Sequence, residues 1–201
     1  MRRILTLGVL LVLALTAPLA VAEAATLEIV PSASTARYRV REKLAGKYFS
    51  NDAIGTTRQV SGTIILDAKG RVVPGSKVTV DLRTIRSDEP RRDNYIRNNT
   101  LVTASFPYAE FVLGELRGLP FPLPASGKAN VQILGSLTIR GVTRPVTWEG
   151  TAEFGRDTVR LQARTAFKFG EFELTQPRVF FLLSVDDNIR LEVDLTLRPK
   201  G

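Results

Sequence analysis

Apolar and polar residues alternate along much of the chain. In each of six segments, nearly every second residue is apolar or small, and the residues between are charged or hydroxylated. This period of two is typical of antiparallel strands that bury one face and expose the other. The six segments cover residues 36–40, 60–66, 78–82, 146–152, 159–169 and 189–197.

Turn-forming residues separate these segments. Clusters of Asp, Gly, Asn and Pro, which favour tight turns and loops, occur at residues 67–70, 118–127, 140–141, 155–157 and 186–188. Residues 87–98 are polar and lack the alternation, and Pro90 suits the first turn of a helix capped by Ser87 or Asp88. The sequence therefore predicts an all-β fold of about eight antiparallel strands, with one short helix between strands three and four.

Eight consecutive antiparallel strands either close into a barrel or stack as a sandwich. Closure removes the exposed strand edges that invite aggregation, and an eight-stranded barrel is just wide enough to enclose one ligand. An outer-membrane barrel would carry aromatic girdles at its strand ends, and the sequence lacks them. The pattern favours a soluble antiparallel barrel.

The first residues have the features of an export signal. Arg2 and Arg3 precede an apolar stretch over residues 4–15, and Ala20 and Ala22 form a small-x-small cleavage site. We predict a signal peptide over residues 1–24 and a periplasmic or secreted location. The alternative is an uncleaved membrane anchor, because residues 4–22 are just long enough to span a bilayer.

The amino-acid composition excludes several kinds of catalytic and metal-binding site. The chain has no histidine and no cysteine, which excludes Ser-His-Asp catalysis, thiol chemistry and histidine-ligated zinc. We predict no catalytic residue, no metal site and no cofactor. The net charge of +8 has two interpretations, transient contact with an anionic membrane surface or an ordinary solvated surface. For an exported chain we predict no nucleic-acid partner.

Three segments, in order, resemble the YceI-like family. Residues 135–148 (GSLTIRGVTRPVTW) resemble its signature, residues 105–111 (SFPYAEF) resemble the strand start after its helix, and Phe169-Gly170 precedes a last strand that follows Val185. The resemblance implies one domain over residues 26–198, a lipocalin-like barrel whose lumen binds a polyisoprenoid or another long-chain lipid. The family often carries a histidine soon after the first strand, and residues 41–62 contain none.

Candidate ligand-binding residues follow from the inward apolar faces. We expect ten side chains to line the lumen: Tyr38, Val40, Ile64, Val80, Phe111, Val146, Trp148, Phe167, Phe169 and Leu191. Phe180 and Phe181 lie in a run that is apolar on both faces, and they are candidates for a portal together with Arg92. Small inward residues such as Gly150 and Ala163 either leave room for a ligand or accommodate large neighbours in a filled core.

The functional hypothesis is an exported, non-enzymatic protein that binds an isoprenoid-type lipid or quinone. Two alternatives stay open. One is a protein-interaction module with a filled barrel, and the other is an enzyme acting on an isoprenoid lipid through an inward carboxylate, for which Glu110 is the nearest candidate. The sequence gives no basis for an oligomeric state.

Overall fold

The structure, a computed structural model, describes residues 23–46, 48–178 and 182–200. These residues form ten β-strands and one short α-helix. The elements are β1 (Ala25–Ile29), β2 (Thr35–Leu44), β3 (Asn51–Thr57), β4 (Val60–Leu66), β5 (Lys77–Asp81), α1 (Pro90–Tyr95), β6 (Tyr108–Arg117), β7 (Gly127–Ile139), β8 (Val142–Gly155), β9 (Thr158–Phe167) and β10 (Leu182–Pro199).

Eight of the strands close into an antiparallel barrel. Their order around the ring is β1, β4, β5, β6, β7, β8, β9 and β10. The ring closes between β10 and β1, where Leu27 lies opposite Pro199 and Ile29 lies opposite Leu197. The predicted all-β, eight-stranded barrel is confirmed.

Strands β2 and β3 extend the barrel wall at one end. Both β1 and β2 pair along the same edge of β10, and a turn that begins at Pro31 separates them. The buried hydroxyl of Ser34 bridges this break, since it donates to the Val30 carbonyl (2.8 Å) and accepts from the Thr196 amide (3.1 Å). Strand β3 pairs with β2, and beyond it only the bridge between Thr56 and Arg86 continues the sheet among the described residues.

The predicted helix exists, but its predicted place in the strand order is wrong. Helix α1 lies between β5 and β6. The prediction placed it two strands too early because the alternation did not reveal β1 and β3, which both precede the helix. Its cap is Glu89, whose carboxylate accepts from the Arg91 amide at 2.9 Å, and Pro90 occupies the first turn as expected. A single π-helical turn over Ile96–Thr100 follows the helix.

The turn predicted at residues 186–188 is absent from the described chain. These residues lie inside β10, where the pairing with β2 shifts register between Val185 and Ile189. The register shift indicates a bulge, which absorbs extra residues within a continuous strand. Residues 186–188 of this bulge are Asp, Asp and Asn, which are also typical of turns. In contrast, Arg140 and Gly141 form the expected two-residue hairpin turn between β7 and β8. Both have positive φ (51° and 77°), as a type I′ turn requires.

The core lies on the inner face of the barrel. Buried apolar residues occur at alternate positions, for example Val131 and Ile133 on β7 and Val159 and Leu161 on β9. This alternation leaves polar residues on the outside, as the sequence predicts. In the described part of the chain, no helix has the length and apolar character needed to cross a bilayer.

Candidate functional site

The barrel encloses a lumen of about 1200 Å³. Apolar side chains from β2, β6, β7, β8, β9 and β10 form most of its wall. It reaches the surface at the end that carries α1 and the β2–β3 hairpin, because exposed residues there, Tyr48, Phe49 and Arg91, also border it. We call this end the mouth.

The lumen is too large to be dry and empty. At roughly 24 cal/mol per Å³, a dry void of this size would cost on the order of 30 kcal/mol. That cost exceeds the whole stability of a typical domain, about 5–15 kcal/mol. Water or an apolar ligand must therefore occupy the lumen, and an apolar wall favours the ligand. This size excludes the filled barrel that one alternative requires.

The structure brings together nearly all of the residues predicted to line the lumen. The side chains that border it are Tyr38, Val40, Ile64, Val80, Phe111, Trp148, Phe167, Phe169 and Leu191. Val146 does not border it among the described residues, although it is half-buried and packs against the core. Phe169 follows β9, in a short 3-10 turn over Phe169–Phe172. That these residues bind a ligand stays a prediction.

Arg92 lies at the mouth, where it joins α1 to β2. Its guanidinium donates to Glu42 Oε1 (2.7 Å), Asp88 Oδ1 (2.5 Å) and Ser87 Oγ (3.2 Å). Glu42 is 7% exposed and also accepts from Asn51 Nδ2 at 3.2 Å. This ion pair holds the helix against the rim of the barrel. The other predicted portal residues, Phe180 and Phe181, lie outside the described residues.

The sequence reasoning missed Glu42, an inward carboxylate that borders the lumen. Continuing the alternation of β2 beyond Val40 places Glu42 and Leu44 on the same inner face, so the signal was present. Glu110, the residue that the enzyme hypothesis singled out, instead points outward and forms an ion pair with Lys77 at 2.7 Å. Glu110 therefore does not supply the inward carboxylate that the enzyme hypothesis requires.

Tyr38 forms part of the lumen wall beneath the mouth, where its side chain is partly buried. Its ring lies directly against Gly55 of β3, where a Cβ atom would come within 2.1 Å of the ring. Among the described residues its hydroxyl has no hydrogen-bond partner. Burial raises the pKa of this hydroxyl, while the nearby Arg92 charge partly opposes the rise. Tyr38 is therefore a neutral, apolar wall residue at any physiological pH.

Replacing Tyr38 with phenylalanine should leave the barrel as stable as before or slightly more stable. The change removes a buried hydroxyl that makes no hydrogen bond, and it preserves the ring that fills the wall. We expect the free energy of unfolding in urea to stay the same or rise by up to about 1 kcal/mol. A loss of more than about 1 kcal/mol would show that the hydroxyl has a bonding partner, such as a buried water.

Trp148 is the single tryptophan of the chain, and it borders the lumen from β8. Its ring meets Phe111 of β6 edge-on, with centroids 6.0 Å apart. In the described part of the structure its indole nitrogen has no hydrogen-bond partner. Because the chain has no other tryptophan, its fluorescence reports on the lumen alone.

The comparisons with known proteins agree with this geometry. A sequence profile described as the YceI-like domain matches residues 27–197. Protein YceI of Salmonella arizonae is 27% identical over 128 residues, which are 60% of this chain and 63% of that protein. A UPF0312 protein of Enterobacter sp. strain 638 is 26% identical over the same length. The chain thus spans 62–63% of the length of these curated relatives.

Solved structures share the fold at low sequence identity. A polyisoprenoid binding domain from Saccharophagus degradans, implicated in plant cell wall breakdown, superposes with a TM-score of 0.68 at 13% identity, covering 87% of this chain and 98% of that chain. Burkholderia cenocepacia BcnA gives 0.62 at 18% identity, covering 84% and 98%. Campylobacter jejuni YCEI protein gives 0.58 at 17% identity, covering 79% and 91%.

Proposed function

Because the chain belongs to the YceI-like domain family, we propose that it is an exported lipid-binding protein that catalyses no reaction. Its ligand is a long-chain isoprenoid-type lipid or quinone, held in the barrel lumen. The N-terminal pattern of basic, apolar and small residues supports export to the periplasm or beyond.

The observation that carries this proposal is the open apolar lumen of about 1200 Å³. It exceeds the roughly 300–1,000 Å³ of most small-molecule pockets, and its wall is aliphatic and aromatic over most of its area. Apolar burial at about 25 cal/mol per Å² would supply most of the affinity for a long hydrocarbon chain. The likeness to a protein described as a polyisoprenoid binding domain supports the same ligand class.

The residues around the lumen offer little support for catalysis. Glu42, the buried carboxylate that borders the lumen, accepts hydrogen bonds from Arg92 and Asn51 and is held as half of an ion pair. A general acid or base needs a group free to exchange a proton with a substrate. Here the carboxylate instead positions α1 at the mouth.

Native mass spectrometry of the protein purified from its own host tests the proposal. We expect a stoichiometric adduct, and organic extraction should release a molecule with an isoprenoid mass. If the purified protein carries no ligand, we expect that adding either a prenyl quinone or a prenol of equal chain length produces a stoichiometric adduct. The prenyl quinone should also quench the Trp148 fluorescence, because that side chain borders the lumen.

A ligand-free mass, together with failure of both probes to bind, would contradict lipid carriage. Binding of the quinone but not of the prenol would assign specificity to the ring. Equal binding of both would assign it to the prenyl chain.

A further inference from the structure

The most exposed large apolar side chains in the described structure lie together at the mouth. Tyr48 is 94% exposed and Phe49 is 85% exposed, and both belong to the hairpin that joins β2 to β3. Leu183, at the start of β10, is 61% exposed. It lies on the same rim, because its neighbour Leu182 pairs with Leu44 at the base of the hairpin. Exposed apolar groups gathered at one place indicate an interaction surface.

This rim is continuous with the lumen. Tyr48 and Phe49 border the cavity, and so do Leu44 and Gly46 of the same hairpin. An apolar path therefore runs from the interior of the barrel onto the hairpin. A lipid that follows this path keeps its chain in contact with apolar side chains instead of entering water.

Basic side chains accompany the aromatic ones. Lys43 and Arg91 are exposed at the rim, and Arg178 follows the wall residue Pro177. Two carboxylates of the same region form ion pairs with arginines of the protein: Asp88 pairs with Arg92, and Asp52 pairs with Arg39 at 3.0 Å. The rim also carries acidic side chains, since Glu89 borders the cavity and Asp186 and Asp187 are exposed on β10. Lys43, Arg91 and Arg178 are the exposed cations there that could contact acidic head groups.

We propose that the β2–β3 hairpin docks the mouth onto the surface of an anionic phospholipid bilayer. Tyr48 and Phe49 enter the interfacial region of the lipid, where aromatic side chains are favoured, and Lys43 contacts the acidic head groups. Two aromatic side chains and a few cations give weak, reversible attachment, which suits a carrier that must leave again. The inference rests on the proposed function, because lipid exchange is what docking at the mouth would serve.

Vesicle sedimentation tests this inference with the chain from residue 25 onward, which lacks the predicted signal peptide and contains the whole barrel and its core. The parent should sediment with vesicles of phosphatidylethanolamine and phosphatidylglycerol. In the double variant Tyr48→Ser/Phe49→Ser, the partition coefficient should fall by at least about tenfold. Lys43→Gln should lower it by about fivefold on these vesicles and much less on phosphatidylcholine.

The matched control is Tyr108→Ser, which removes a half-exposed aromatic side chain from the outer wall, away from the lumen. It should change the partition coefficient by less than about twofold. Absence of vesicle binding by the parent, or an equal loss in Tyr108→Ser, would overturn the proposal. The proposal would also be overturned if the double substitution converted a dimer into a monomer and left vesicle binding unchanged. The hairpin would then be the contact between two copies of the chain.

A separate loading experiment distinguishes failure of docking from failure of the proposed function. A prenyl quinone delivered from cyclodextrin needs no membrane, so the parent should load it whether or not the mouth docks on vesicles. Loading of the parent from cyclodextrin without vesicle binding would refute docking alone. Vesicle binding without any loading would refute lipid carriage and leave the membrane contact standing.

Discussion

Replacing Ala163 with phenylalanine is expected to weaken lipid binding by roughly 30-fold while the barrel stays folded. Ala163 is buried on β9, borders the lumen, and lies opposite Gly150 on β8 and Val193 on β10. A phenyl ring there would occupy space that the ligand needs. Loss of about 80 Å² of apolar contact, at 25 cal/mol per Å², weakens binding by about 2 kcal/mol, or roughly 30-fold.

The control for this change is Ala152→Phe on β8. Ala152 is buried in the core, but it does not border the lumen among the described residues. Its extra ring has no void to fill, so we expect a loss of about 3 kcal/mol in the free energy of unfolding. Ala163→Phe should stay within about 1 kcal/mol of the parent, because the lumen accepts the ring. Normal loading of a folded Ala163→Phe variant would place the ligand outside the lumen.

Replacing Arg92 with methionine is expected to destabilise the protein by about 3 kcal/mol. The change leaves the Glu42 carboxylate buried with Asn51 as its remaining described partner. An uncompensated buried charge costs far more than the loss of an exposed ion pair. Urea unfolding of the variant measures the effect directly.

Two further variants make this result specific to the buried pair. Arg83→Met removes an ion pair of the same length, 2.7 Å to Asp81, but the Arg83 side chain is half-exposed. Its loss should cost less than about 1 kcal/mol. The double variant Glu42→Leu/Arg92→Met removes both charges and should recover most of the stability. A double variant as unstable as Arg92→Met would mean that Arg92 acts through its packing instead of its charge.

Local sequence patterns predicted the parts of this fold that local physics controls. Alternation decides which side chains of a strand face inward, so the lumen residues on β2, β6 and β9 could be identified without a structure. The turn at Arg140 and Gly141 was equally predictable, because glycine readily adopts the positive φ that such a turn needs.

The remaining features depend on distant partners. Strand β3 (NDAIGTT) contains Asn, Asp and Gly, which disfavour strands, and it forms because β2 pairs with it. The alternation of β2 places Glu42 on the inner face, but what compensates its charge there is Arg92, fifty positions later, which no local pattern reveals. The bulge at residues 186–188 resembles a turn in sequence, and only the pairing of β10 on both sides shows that the strand continues.

The closure of the barrel also has a consequence for how the chain folds. Strands β1 and β2, near the beginning, pair with β10, near the end, so that Leu27 meets Pro199 and Val40 meets Ile189. These contacts give the fold a high contact order, which is associated with folding over milliseconds to seconds. The ring cannot close before the last strand is available. Until then the inner faces and the unpaired strand edges stay accessible to other chains, so the chain is prone to aggregation while it folds.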